Sequence, residues 1–317
     1  MIKHKDKSMA FLSKEKIYKL LNEKNGGQRY VARKLFNLFQ SLGFHVVGDH
    51  FYEIIPNTKE IHKKYHDKPR NLPFLEKVLP KAEAEIVSML EKWGYEFYET
   101  STKYGYKEKN YYFSGVDAIA LYCLIRDWKP KRIIEIGQGS STSVFVSAIS
   151  KNYQETQLIT EFISIDPYNR FEFQEIEGVK FVNIRDSLQN VSKETFLSLD
   201  ESDFLFVDSS HVYKFGSDVE YLFEEIYPQI KPGVNIHIHD IFSPYHYPLS
   251  WYVKEKRFWN EQYYLELFMQ FNSKFNVTIP IYFMTRNSNI LKEKCQSICT
   301  YENFKFAGNS LYLRRVS

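Results

Sequence analysis

Residues 133–143 read IIEIGQGSSTS. Three isoleucines flank one glutamate, and then come two glycines one residue apart and a run of hydroxyl side chains. A short apolar run of this kind has the texture of a buried strand. Glycine at its end lets the backbone turn sharply and lie close against a ligand. Ser140, Ser141 and Thr142 can cap a following helix and offer hydrogen-bond donors. A dinucleotide-binding turn wants G-x-G-x-x-G, and its third glycine position is held here by Thr142, which argues against a nicotinamide cofactor.

Outward from this turn, short apolar runs alternate with helical patterns. The expected strands are RIIEI (132–136), FISID (162–166), VKFVNI (179–184), DFLFVD (203–208) and VNIHIHD (234–240). Helices are expected near 140–151, 192–199 and 217–230. In the last, Val219, Leu222, Phe223, Ile226 and Ile230 form one stripe, stopped by Pro232-Gly233. Strands alternating with helices imply a mostly parallel sheet with right-handed crossovers. After residue 240 come an aromatic stretch, a helix near 260–273 and strand-like segments at 278–284 and 310–315. Upstream, residues 14–42 read as two helices broken at 25–27. HFYEIIPNTKEI (50–61) reads as extended and ending in a turn, and 80–97 as a helix with Pro80 near its start. The division expected is a helical N-terminal extension over 1–110 and an α/β domain over 111–317.

Ligands of open parallel sheets bind at the carboxyl ends of the strands, and an acid at the second strand end commonly accepts from ribose hydroxyls. Asp166 stands there. A ligand with a ribose and a positive centre, but no pyrophosphate, suits these residues.

The runs KPKRIIEIGQGSSTS, ISIDP and FLFVDSSHVYKFGSDVEYLFEEIYPQIKPGVNIHIHDIF, with the ending GNSLYLRR, resemble the class I S-adenosylmethionine-dependent methyltransferases. More narrowly they resemble the bacterial branch found in glycan and secondary-metabolite gene clusters. The resemblance covers about residues 111–251 and 308–315. It implies a Rossmann-like methyltransferase sheet with S-adenosylmethionine as cofactor. By the same resemblance Glu135, Gly137, Gly139, Ser140 and Ser141 line the methionine end, Asp166 holds the ribose and Asp186 sits near the adenine. Asp208 faces the active site and, by the same resemblance, counts among the cofactor-binding residues. The turn departs from the fuller E-x-G-x-G-x-G by a serine in the last place.

The fourth strand end carries Asp208, His211 and Tyr213, and the fifth carries His237, His239 and Asp240. Methyl transfer to oxygen needs a hydroxyl that gives up its proton. His211 or His239 suits the general base, with Asp208 beside it. The alternative is a divalent ion, magnesium by preference for carboxylates, on Asp208 and Asp240. Ile241, next along, cannot supply a third ligand. His237 reads as core or as a support behind the site residues. Tyr213, Tyr245, His246 and Trp251 are the candidate acceptor wall, since apolar sugar faces stack on such rings.

A net charge of +3 gives nucleic-acid binding no support, and the densest basic stretch, IHKKYHDKPR (61–70), reads as a solvated loop. Cys123, Cys295 and Cys299 make neither a disulfide framework nor a zinc site. No apolar run reaches the roughly 20 residues of a membrane span, and the first residues lack a signal peptide's apolar stretch, so the expected location is the cytoplasm. The reading is an O-methyltransferase acting on a sugar hydroxyl of a surface polysaccharide or its precursor. The alternatives are a small-molecule acceptor from secondary metabolism and a non-catalytic scaffold that keeps the fold. Homo-oligomerisation is left open.

Overall fold

The computed structural model describes residues 35–47, 53–65, 67–168, 170–171 and 175–317. Its centre is a seven-stranded sheet in the order β3-β2-β1-β4-β5-β7-β6. The strands are β1 (Arg132–Ile136), β2 (Thr160–Ile165), β3 (Val179–Ile184), β4 (Phe204–Val207), β5 (Asn235–Ile238), β6 (Phe275–Pro280) and β7 (Leu311–Arg315). β1 to β5 run parallel, and β7 enters antiparallel between β5 and β6. The five expected parallel strands are all present within two residues at each end. The expected strand at 310–315 is β7.

Residue alternation divides the core into two layers. Ile133, Phe162, Phe204 and Phe206 face one cluster, which also takes in helix α2 (Val116–Trp128) and helix α3 (Ser140–Thr156). Ile134, Ile163, Leu205 and Ile236 face the other. A strand buried on both faces has no polar face to show, which is why these strands read as nearly continuous apolar runs. Val116 to Arg126 are all buried. Within that helix Arg126 is fully buried and gives its guanidinium to Glu96 and Glu155, both at 2.6 Å, and to Asn152, with the Trp93 ring 4.3 Å away. Helix α1 (Leu79–Trp93) starts with Pro80 in its first turn, as expected.

The stripe at 219–230 is helical from Asp218 and changes to a π turn over Leu222–Ile226, burying Val219, Leu222, Ile226 and Ile230. Two expectations need correction. β6 stops at Pro280, which has no N–H to continue the ladder. Ile281–Asn287 is then a helix that buries Ile281 and Met284. The region expected to be extended to residue 61 is helical over Thr58–Lys64, because the Asn57 side chain accepts from Lys59 N and caps it.

Two compact units divide the chain. One takes residues up to Tyr65 with Pro248–Phe258, and the other takes His66–Tyr247 with Trp259–Ser317. In the first, residues 35–41 are helical, and the rest of the expected helix pair lies outside the described residues. Trp251 belongs to this unit, and its ring lies 4.8 Å from the Arg257 guanidinium. The sheet belongs to the second. The three cysteines are buried and unbridged. Among the described residues no helix is long and apolar enough to cross a membrane.

Candidate active site

The turn after β1 explains its own sequence. Gly137 has φ +86°, and a Cβ there would stand 2.1 Å from the Asp208 carbonyl oxygen, so only glycine fits. Gly139 is extended, and a Cβ there would meet no atom within 4 Å. Open space against a bare backbone at a helix start is where a ligand tail can lie. Gly137, Gly139 and Ser140 are partly exposed and border that space. Glu135 and Ser141 turn inward instead. The Glu135 carboxylate is fully buried and accepts from Ser141 Oγ at 2.8 Å, Thr142 Oγ1 at 3.0 Å and Ser164 Oγ at 2.9 Å. Burial pushes its pKa up to about 8 against the pull of these hydroxyls, and the Asp208 charge adds to the rise. Glu135 thus fastens β1, β2 and the start of α3 into one frame.

Asp166 follows β2 and is nearly buried. Its Oδ2 accepts from Gln138 N at 2.9 Å and its Oδ1 from Tyr168 N at 2.6 Å, which fixes the carboxylate while leaving lone pairs for further donors. Gln138, the residue between the glycines, reaches Asn183 with its amide nitrogen at 2.9 Å. Its amide oxygen takes Arg170 N at 2.9 Å. No periodic pattern marks this side chain in the sequence; its place between the two glycines is the signal that finds it. Asp186 is exposed after β3 and accepts from Ser187 N and the Asn190 amide, at 2.7 and 2.8 Å.

The ends of β4 and β5 converge on His211. This residue is nearly buried and has φ +59°. Its Nδ1 meets Glu261 Oε2 at 2.9 Å. Its Nε2 faces Asp208 Oδ1 at 3.3 Å and Asp240 Oδ2 at 3.8 Å. The Trp259 ring lies 4.3 Å away, tilted by 34°. Burial alone would lower the His211 pKa, but hydrogen bonds to Asp208 and Glu261 outweigh it and hold the imidazole well above its ordinary value. Burial would raise Asp208, and the bond from His211 with the charge of His239 brings it below the usual carboxylate range. Asp208 is the outward member, with 32 % of its side chain exposed. Burial raises Glu261, which has no exposure at all.

His239 spends both ring nitrogens on structure, Nδ1 on Ser310 Oγ at 3.3 Å and Nε2 on the Tyr112 carbonyl at 3.2 Å. Burial opposes its charge, but Asp240, Asp208 and Asp117 raise its pKa. His237 lies in the core, stacked on Phe206 at 4.1 Å, and burial drives its pKa well below the ordinary value. Asp240 also accepts from the Asn309 amide.

Helix α4 (Glu261–Gln270) organises these loops through three consecutive residues at its start. The side chain of Asn260 accepts from Tyr213 N at 2.7 Å and gives to the Tyr213 carbonyl at 3.1 Å. Glu261 holds His211, and Gln262 takes Phe242 N at 2.7 Å and gives to the Tyr245 carbonyl at 2.8 Å. None of the three was singled out from sequence. Tyr213 bonds Glu224 through its hydroxyl and stacks on Tyr264 at 4.1 Å. Tyr245 is buried beneath the Arg286 guanidinium, 4.3 Å from its ring. His246 Nδ1 lies 3.1 Å from the Tyr263 hydroxyl.

A cofactor with a ribose and a flexible cationic tail fits the open space at Gly139 and the fixed carboxylate of Asp166. A metal finds a poorer setting. Among the described residues no three His, Cys, Asp or Glu side chains are grouped to hold an ion. The positive charge between Asp208 and Asp240 is that of His211.

Residues 134–241 match the family model Methyltransf_24, described as a methyltransferase domain. An uncharacterized protein of Archaeoglobus fulgidus is 30 % identical over 128 residues, 38 % of this chain, and the match spans 57 % of that relative's length. Among solved structures, the SAH-bound Podospora anserina methyltransferase PaMTH1 is similar at 12 % identity and a TM-score of 0.37, over 82 % of this chain and 94 % of that one. The apo structure of CmcI-N160 is similar at 15 % identity and the same TM-score, over 62 % and 70 %.

Proposed function

We propose that the protein is an S-adenosylmethionine-dependent O-methyltransferase whose acceptor is a sugar hydroxyl. The observation that carries the catalytic part is the clasp of His211 between buried Glu261 and outward Asp208, at strand ends adjoining the glycine turn. The match of residues 134–241 to a methyltransferase domain supports the reaction class. The sugar, drawn from a surface polysaccharide or its precursor, rests on the resemblance of the sequence motifs to the glycan-cluster branch.

When bound, S-adenosylmethionine supplies an electrophilic methyl group on a sulfonium. Gly137 and Gly139 would give it backbone to lie against, and Asp166 would accept from its ribose. Asp208 accepts a hydrogen bond from the acceptor hydroxyl and aims the oxygen lone pair. As the new bond to carbon forms, that hydroxyl becomes strongly acidic, so a carboxylate of modest basicity suffices to take the proton. His211, held by Glu261, fixes the Asp208 rotamer and its charge. Most of the rate comes from alignment, which this rigid clasp supplies.

The experiment is transfer of labelled methyl from S-adenosylmethionine to a panel of sugars and phenols, followed by mild alkali. Label on a sugar that survives alkali is the expected ether. Asp208→Asn should lower kcat about 100-fold or more, and Glu261→Gln about 10-fold, with S-adenosylhomocysteine affinity unchanged. Label lost in alkali, label only on phenols, or full activity in Asp208→Asn overturns the reading.

A further inference from the structure

Residues 106–115, YKEKNYYFSG, form a loop that is stiff in its backbone and bare at its tip. Asn110 ties it internally, its side-chain oxygen taking Phe113 N at 2.7 Å and Tyr112 N at 3.0 Å and its nitrogen giving to the Lys107 and Phe113 carbonyls at 2.7 and 2.9 Å. Glu108 turns inward and accepts from the Tyr106 hydroxyl at 2.7 Å and from Gly115 N at 2.8 Å. Gly115 closes the loop where a Cβ would strike the Lys305 carbonyl at 2.5 Å. Phe113 is buried and packs 5.2 Å from His239.

This frame holds Tyr111 and Tyr112 in water, 94 % and 82 % exposed. The Tyr112 carbonyl is the group that His239 Nε2 touches. Two large bare rings on an ordered loop, whose backbone is one hydrogen bond from His239 after β5, form a ready stacking surface. Lys107 and Lys109 are exposed on the same segment, and its one acid, Glu108, is withdrawn from the surface, so the tip is positive.

We propose that loop 106–115 is the acceptor-recognition element. Tyr111 and Tyr112 stack on the acceptor's sugar ring, and Lys107 and Lys109 select an anionic group attached to it. The chemistry is a sugar with a negative charge close to the ring, either the diphosphate of a nucleotide-linked sugar or the carboxylate of a uronic acid. The inference rests on the methyl-transfer reading and adds the acceptor class.

The test uses the full chain saturated with S-adenosylhomocysteine, titrated with UDP-glucose and separately with methyl β-D-glucuronide. One of the two probes binds saturably, and which one tells phosphate from carboxylate. Tyr111→Ala with Tyr112→Ala weakens that probe about tenfold, while the paired Phe variants keep it within about threefold. Lys107→Ala with Lys109→Ala weakens it and flattens its salt dependence. S-adenosylhomocysteine affinity stays unchanged in all of these variants, which reports an intact fold. Binding of neither probe, or binding indifferent to the tyrosine substitutions, overturns the inference alone. Failure of S-adenosylhomocysteine to bind the wild type overturns the methyl-transfer reading and this one with it.

Discussion

Replacing Glu135 by Gln should change how stability depends on pH. Glu135 is fully buried, accepts three hydroxyls and has its pKa raised from 4.5 to about 8, chiefly by burial. The folded state therefore holds a proton that the unfolded chain gives up from near pH 4.5 upward. Between these values the native state binds more protons, so stability falls as pH rises and levels off above about 8. At about 1.4 kcal/mol per pH unit, the loss over that window is on the order of 4–5 kcal/mol. Gln mimics the neutral acid and has nothing to titrate. Urea unfolding of wild type and Glu135→Gln at pH 5, 6, 7 and 8 isolates the effect, because every other group cancels in the difference. At pH 5 the two should lie within about 1–2 kcal/mol, with wild type the more stable. By pH 8 the variant should have gained several kcal/mol relative to wild type. A difference that stays constant with pH refutes the reasoning, since the three hydroxyls would then hold the carboxylate charged at ordinary strength.

Further outcomes follow from the same geometry. Gly137→Ala should cost about 2–4 kcal/mol by chemical denaturation, because it meets the Asp208 carbonyl in a left-handed backbone region. Gly139→Ala should leave stability within about 1 kcal/mol yet weaken S-adenosylhomocysteine roughly tenfold in calorimetry, because its methyl group enters open space beside an extended backbone. Arg126→Ala should destabilise by about 2–3 kcal/mol, less than a sealed ion pair would cost, because Glu96 and Glu155 keep access to water.

Much of the sheet was readable because doubly buried strands leave a plain mark, a run of β-branched and aromatic residues with an acid at its end. β1, β2, β4 and β5 carry that mark, with Glu135 inside the end of β1 and Asp166, Asp208 and Asp240 after the others, whereas β3 is a half-buried edge strand. The second half of the site does not. Glu261 stands 50 residues from His211 in sequence, and an acid in the first turn of a helix is ordinary, so nothing local says that it is buried on an imidazole. Tyr245 looked like an acceptor surface because it sits among aromatics after the fifth strand. Gln262 and Arg70, which both bond its carbonyl, instead fold that segment inward. Tyr111 and Tyr112 precede the α/β pattern and carry no periodic signal. The segment 278–284 mixes apolar residues at spacings that suit either element, and Pro280 decides where the strand gives way to helix.

Calorimetric titration of S-adenosylhomocysteine into the wild type and into Asp166→Ala tests the central claim most directly. Binding to the wild type should be micromolar, with a loss of about 10- to 100-fold in the variant, because the fixed carboxylate proposed to accept from the ribose hydroxyls is removed. No binding by the wild type at millimolar ligand, or equal affinity in both proteins, would contradict it.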